Sequence, residues 1–330
     1  MRALRTIFVR ARRAPDGFIV VAVLWILGAL ATLATVYAVY VVNTAIGLGV
    51  HDERVRAESL VTAGVELAVY KMTATPQSPP TQGATPQSPP TQGVFTFRAE
   101  RANVVVDFRS ESARIDLNTA PKELLAGLFR VLGANDNLAA AYADRVIAWR
   151  TSPTAANQDN ESSAYRTAGL PYGPRLGPFP HTAELSLVLG LPELLVERAL
   201  PFVTVYSKQA QINPFDAAPE VVAALPGMTP DRLHDILAQR DLTPQNRRNA
   251  QDAQNMQNLT AALGPAAALV TITPSKAARV GVRVDFENGR QMRSEVVVLL
   301  LDSGTEPYGV LSWRDLDDVS QDAPPRSALR

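Results

Sequence analysis

An α+β fold is what this chain predicts: one membrane-crossing helix, an antiparallel sheet behind it, and a large all-helical insertion. Three observations carry that expectation. Phe18 to Val42 holds 25 residues without a charge. Alternating, β-branched runs occur in 94–108 and again in 278–314. Between them, 114–275 reads as short helices joined by Pro- and Gly-rich loops, so the helices interrupt the strands rather than follow them.

At about 1.5 Å per residue the apolar run makes a helix on the order of 37 Å long, enough to cross a ~30 Å hydrocarbon core with some tilt. Arg2, Arg5, Arg10, Arg12 and Arg13 precede it, opposed only by Asp16, and the first charge after it is Asp52. Positive residues stay cytoplasmic, so the N-terminus faces in and the rest of the chain faces out. The run exceeds the roughly 7–15-residue core of a cleaved signal peptide, and no A-x-A-like site follows it, only NTAIGLG (43–49). The other place for a cut is ahead of the run, at Gly17-Phe18.

Composition narrows the function classes. Lys and Arg number 32 against 32 Asp and Glu; loss of the leader takes five Arg and one Asp and leaves 27 against 31. That mildly acidic balance argues against general nucleic-acid binding, which shows a basic surplus. Cysteine is absent, so no disulfide, thiolate metal site or Cys nucleophile exists.

In chain order, 43–72 continues the helix amphipathically, with Val55, Leu60, Val61, Gly64, Val65, Leu67, Ala68 and Met72 near helical spacing. Gly47 and Gly49 mark an expected bend or melted turn. ATPQSPPTQG then occurs twice in tandem, 74–83 and 84–93, an extended Pro-rich loop. Val94 to Phe108 alternates as two strands with a turn near Arg101-Ala102-Asn103. Asn118-Thr119 before Ala120-Pro121 starts a helix whose stripe is Leu124, Leu125, Leu128, Phe129 and Leu132. Leu138 to Trp149 is a second helix, and 151–182 a long polar loop. Glu184 to Leu200 is helical with a break at Pro192, and Phe202 to Tyr206 a strand. Gln211 to Glu220 echoes Arg114 to Glu123, and 221–240 gives helix, a Pro226-Gly227 turn, and a helix capped by Thr229. A polar loop (241–258) and a short apolar segment (Leu259 to Leu263) follow. Strands at Ala278 to Phe286 and Met292 to Leu301 flank Asn288-Gly289, a strong hairpin signal. YGVLSWR (308–314) is a last strand, and the tail from Asp315 is expected to fray. Trp149 and Trp313 are expected in the core.

The Gly17-Phe18 junction, with a basic leader before and a hydrophobic helix after, resembles a prepilin-type signal. Further matching pieces are Ala22 at the fifth position after the cut, ARIDLNTAPKELL, the Ala-Trp-Arg end of the second helix, GPFPHTAELSLVLGL, LPFVTVYS, QINPFDAAPEVVAAL and ENGRQMRSEVVVLL…YGVLSWRD. In this order, over nearly the whole chain, they resemble the general secretion pathway protein K family, minor pseudopilins of type II secretion. The resemblance implies cutting after Gly17 by a prepilin peptidase and methylation of Phe18. It implies a pilin-like helix packed on an antiparallel sheet, with a helical insertion that is SAM-like or helix-hairpin-helix-like. The divisions become leader 1–17, membrane helix and extension 18–72, sheet domain 73–113 and 276–330, and insertion 114–275. It further implies a non-enzymatic tip subunit of a periplasmic pseudopilus, anchored in the inner membrane and helping to start assembly for export across the outer membrane. Its partners would be other minor pseudopilins and the major pseudopilin, with no nucleic acid. Ala22 stands where most pilins carry Glu. That Glu is thought to neutralise the N-terminal amine of the subunit above it; an isolated carboxylate in hydrocarbon costs several kcal/mol, and a subunit with nothing above needs none.

Calcium is a cofactor the family's insertion can hold. Here Trp149 is followed by Arg150 and Thr151, and the acids have thinned to Asp159 and Glu161; Asp315, Asp317 and Asp318 form a second cluster. Either group falls short of the roughly 6–8 oxygens calcium takes. LNTAPKELL and LPGMTPDRLHDIL also look like DNA-binding hairpins, the rival reading being a membrane-tethered periplasmic DNA-binding or uptake protein. Such hairpins grip phosphate at a Gly-x-Gly turn, whereas this chain offers Gly133-Ala134-Asn135 and Gly227-Met228-Thr229. A generic signal-anchored scaffold would leave Gly17 uncut. His51, His181 and His234 stand apart with no catalytic motif around them.

Overall fold

A computed structural model describes residues 16–74, 90–99, 101–152, 158–242, 257–261, 263–302 and 306–316. The basic leader before Asp16, nearly all of the tandem ATPQSPPTQG segment, and Asp317 and Asp318 lie outside the described residues. The chain divides into two units, Met1–Ser59 and Leu60–Arg330.

Helix α1 (Asp16–Thr73) supplies the first unit and the opening element of the second. In the first unit, Val20–Val41 has mean hydropathy 2.2 with none of it buried. Trp25 is 78 % exposed, and Leu24, Leu33 and Val36 are exposed with it. So apolar a helical surface is costly in water and favourable in hydrocarbon, where a helix satisfies its own backbone groups. No melted turn occurs at Gly47 or Gly49: α1 stays helical through both. Each Gly costs about 1 kcal/mol of helix propensity, too little to break a helix with long flanks.

In the second unit the end of α1 lies on one face of a five-stranded antiparallel sheet. Its strands are β1 (Gln92–Ala99), β2 (Ala102–Ser110), β5 (Ala277–Phe286), β6 (Gln291–Leu300) and β7 (Tyr308–Leu316), in spatial order β1-β2-β5-β6-β7. Val61, Val65, Ala68, Val69 and Met72 of α1 are buried with Val104, Val106, Phe108, Val280, Val282, Val284, Val296 and Val298. Period-2 alternation sends this set to one face. Gly64 permits the close approach: a Cβ there would sit 3.1 Å from Val106 and 3.2 Å from Val282. The hairpin between β5 and β6 turns at Gly289, whose φ of +84° suits glycine.

β2 and β5 are direct neighbours, in register from Ala102 opposite Phe286 to Ser110 opposite Ala278. The chain between residues 111 and 276, with its helical elements, therefore departs from and returns to adjacent strands. Among the described residues these elements include α2 (Lys122–Val131), α3 (Asp136–Arg150), α4 (Gln158–Thr167), α5 (Glu193–Ala199), α6 (Pro219–Ala223) and α7 (Pro230–Leu242), with 3-10 turns at Glu111–Ala113, Thr182–Leu187, Leu200–Phe202 and Gly264–Leu269. Two two-residue strands, β3 (Ile115–Asp116) and β4 (Val203–Thr204), pair in parallel. A separate core gathers Ile115, Leu117, Leu124, Leu128, Phe129, Val146, Trp149, Tyr165, Phe179, Leu185, Ile212 and Val221.

Four expectations change. The polar loop 151–182 contains α4, a helix anchored by fully buried Tyr165, whose ring lies 6.0 Å from Trp149. The strand expected over 202–206 shrinks to β4, because only Ile115 and Asp116 pair with it. Trp313 is 41 % exposed, since β7 is the sheet's edge. Asp315 is held in β7, accepting from Ser294 Oγ at 2.8 Å and from Trp313 Nε1 at 3.1 Å.

Candidate functional site

Gly17 and Phe18 fall in the first turn of α1, and their side chains are outside the described residues. Ala22 follows one turn later, at the start of the exposed apolar run. The structure thus places all three on one helix end.

The second unit carries a charged site that sequence reasoning missed. While one face of the sheet packs against α1, the alternate residues point the other way: Asp107 and Arg109 on β2, Arg279 and Gly281 on β5, Glu295 on β6. Register aligns them, Asp107 opposite Gly281, Arg109 opposite Arg279, and Gly281 opposite Glu295. With Glu111, Arg114, Pro201, Ala218 and Val221 from the helical insertion they line a cleft of about 250 Å³.

Its centre is a buried ion cluster. Arg279 Nε donates to Glu111 Oε1 at 2.8 Å and Nη1 donates to Glu295; Thr204 Oγ1 donates to Glu111 Oε2. The Glu111 side chain is 1 % exposed. Burial alone would pull the Arg279 guanidinium down, but Glu111 and Glu295 outweigh it and hold its pKa above the ordinary value. Arg114 differs: burial first, then the neighbouring Arg279, pull its pKa below the ordinary value, with Glu111 and Glu295 offsetting part of that. Burial raises the Asp107 carboxyl, partly against the nearby Arg109. Asp107 lies over Gly281, where a Cβ would be 2.6 Å from its Oδ1.

Hydrogen bonds also close the seam where the chain leaves and re-enters the sheet. Ser275 N donates to Ser110 Oγ at 3.0 Å, Asn213 N to the Ser112 carbonyl at 2.7 Å, and Ser275 Oγ to the Ser207 carbonyl at 3.0 Å.

The two Ala-Pro motifs fold alike. Ile115 begins a parallel pairing with Val203, and Ile212 bridges Val270 in parallel. Asp116 Oδ1 then accepts from Asn118 N at 2.7 Å, and Asn213 Oδ1 accepts from Phe215 N at 3.1 Å. Each motif leads into a helix, and an arginine of the following helix returns to clamp it. Arg150 donates to the carbonyls of Leu117 and Ala120, the latter at 2.6 Å; Arg240 donates to that of Ala217 at 2.8 Å. The turns within the two hairpins use Gly133 (φ +105°) and Gly227 (φ +75°). Arg130 beside the first turn pairs with Asp136, and Arg232 beside the second donates to the Gly227 carbonyl at 2.8 Å. These two guanidiniums therefore serve the fold's own acceptors.

Glu161 pairs with Arg145 at 2.7 Å, the Asp159 side chain lies outside the described residues, and among the described residues no three His, Asp or Glu gather.

Residues 103–208 match the model of the family described as type II secretion system, protein K. That segment opens in β2, includes Glu111, Arg114 and the first hairpin, and ends just past β4. No curated protein matches the chain. The fold is similar to that of a chain in the crystal structure of the GspK–GspI–GspJ complex from the type 2 secretion system of enterotoxigenic Escherichia coli. The identity is 15% and the TM-score 0.52, covering 81% of this chain and 98% of that one. Residues 103–208 are thus similar to the type II secretion system protein K family, and the α+β fold is similar to that of a chain of the GspK–GspI–GspJ complex.

Proposed function

We propose that the chain is the tip subunit of the pseudopilus and helps start its assembly, acting through packing rather than catalysis. The observation that carries this reading is Ala22 in the first turns of an exposed, membrane-length helix. A subunit that must sit beneath another gains from a carboxylate there, to pair with the amine above; a subunit at the top would bury it alone, at several kcal/mol. The same reading has a prepilin peptidase cut after Gly17, Phe18 become the methylated N-terminus, and the chain beyond α1 lie in the periplasm. Other minor pseudopilins are its expected partners, as GspI and GspJ are of GspK in the similar complex, with the major pseudopilin below them. The two helical hairpins are taken as scaffold, because Arg130 and Arg232 beside their turns already have partners. Calcium enters this reading only if groups beyond the described ones complete a site around Asp159 and Glu161.

The test is intact mass and N-terminal sequencing of the membrane-extracted chain from cells with and without prepilin peptidase. A methylated Phe18 start that requires the peptidase is expected; an uncut Met1 start in both would overturn the reading. Ala22→Glu then tests the position itself. It is expected to leave processing unchanged and to lower the number of pseudopili started, whereas normal assembly would remove the argument from Ala22.

A further inference from the structure

We propose that the cleft between the outer face of the sheet and the helical insertion binds a carboxylate on Arg114, with Arg109 at its mouth. This inference does not depend on the pseudopilus reading. It starts from which charges in the cleft are already matched. Arg279 is saturated by Glu111 and Glu295, and Glu111 also accepts from Thr204. Asp107 and Arg109 sit two residues apart on the same face of β2 and offset one another. Arg114 is left: its guanidinium makes no hydrogen bond or ion pair with any described side chain or carbonyl, and it faces the cleft beside a second arginine.

Withdrawing a cation from water without a partner is unfavourable, and a neighbouring cation adds to the cost. A planar carboxylate suits the guanidinium fork, which offers two parallel N–H donors. Charge selects the class of anion. The lining holds three arginines and three acids, Asp107 included. A singly charged carboxylate meets one unmatched guanidinium, whereas a phosphate dianion would bring surplus charge against Asp107 and Glu295. The cavity of about 250 Å³ takes an acetate or one acidic side chain, with its remaining volume occupied by roughly 30 Å³ waters. Pro201, Ala218 and Val221 supply apolar wall for the methylenes of such a side chain. The carboxylate can come as a free small acid or on a polypeptide, and the two sources share this chemistry.

The experiment uses the full chain extracted in detergent, at constant ionic strength. Thermal unfolding is followed with sodium acetate, with the blocked tripeptide acetyl-Ala-Glu-Ala-amide, and with sodium chloride and acetyl-Ala-Gln-Ala-amide as controls. Wild type is expected to gain on the order of 5 °C at about 100 times the Kd of either carboxylate, and nothing from the controls. Arg114→Gln is expected to lose that response and, without ligand, to melt no lower than wild type, because an unmatched cation has been removed. Arg98→Gln, in an exposed pair with Glu287, is expected to keep the response. A peptide acting at tenfold lower concentration than acetate supports a polypeptide source; equal or better action by acetate supports a free acid. Equal responses in wild type and Arg114→Gln would overturn the proposal, as would no response beyond chloride. If Arg114→Gln does not fold, Arg114→Lys takes its place, with a weakened response expected and an undiminished one counting against the site.

Discussion

Gly127 of α2 lies against the backbone of Ala224, which caps the end of α6, and Gly127→Ala tests how tightly the two hairpins are joined. A Cβ at Gly127 would lie 1.9 Å from the carbonyl oxygen of Ala224 and 2.8 Å from its carbon. Carbon–oxygen contacts settle at roughly 3.3–3.6 Å, so the helices must part by about 1.4 Å or more. The obstacle is main chain, which has no rotamer to change. Overpacking costs about 1–3 kcal/mol, and the rigid partner puts this case at the upper end. Replacing Gly by Ala inside a helix returns about 1 kcal/mol, leaving a net loss of about 2 kcal/mol. For a unit of this size that lowers the midpoint by roughly 4–8 °C. The assay is thermal unfolding of the detergent-extracted chain by tryptophan fluorescence, in which Trp149, 3 % exposed, reports on the helical core. Gly309→Ala, with nothing within 4 Å of the added carbon, is the control and should not lower the midpoint. A Gly127→Ala chain as stable as wild type would refute the reasoning.

Three further outcomes are expected. Glu111→Ala leaves Arg279 with Glu295 alone and Thr204 without its acceptor, and urea unfolding should show a loss of about 3 kcal/mol; under about 1 kcal/mol would mean the cluster is not buried as described. Burial pushes the Tyr165 hydroxyl up to about 12, so its stabilising neutral form is complete below the ordinary value near 10 and its contribution is lost as pH rises towards 12. Tyr165→Phe also strips the acceptor, at 2.8 Å, from the Leu189 N–H, costing about 1–3 kcal/mol at neutral pH; that gap should narrow in alkali, and parallel curves would contradict it. Burial raises the Asp116 carboxyl although the N–H groups of Asn118 and Lys208 and the Ser207 hydroxyl pull it back. A raised folded pKa favours folding at acid pH, so wild type should lose stability relative to Asp116→Asn as pH climbs out of the ordinary carboxylate range; a gap that widens the other way would refute the burial argument.

What was legible in the sequence is what local pattern encodes. The strand alternation of 94–108, the Asn288-Gly289 hairpin and the Ala-Pro helix starts each carry their signal within a few residues. Helix α4 was hidden because QDNESSAYRT is polar, with Tyr165 its fully buried anchor. Trp313 misled because an aromatic in an alternating run looks buried, while an edge strand leaves it half covered. The ion cluster was illegible for a different reason: Glu111 and Arg279 are 168 positions apart, and only the β2–β5 register brings them together. The echo between the two Ala-Pro motifs was visible, but not that Arg150 and Arg240 return to clamp them, since their separations from the motifs differ.

The direct pairing of β2 with β5 also sets a folding order. Between them the chain runs through roughly 165 residues, and closing so long an unstructured loop costs on the order of 4–5 kcal/mol before the first sheet contact repays it. Helical hairpins have short contact separations and form early. Once they have formed, the Ser110–Ser275 and Ser112–Asn213 hydrogen bonds hold the exits of the helical block side by side, and the loop to be closed shrinks to a few residues. Refolding should therefore show Trp149 becoming buried before the sheet is complete. Weakening the helical block should slow formation of β2–β5 even though no strand residue has been changed.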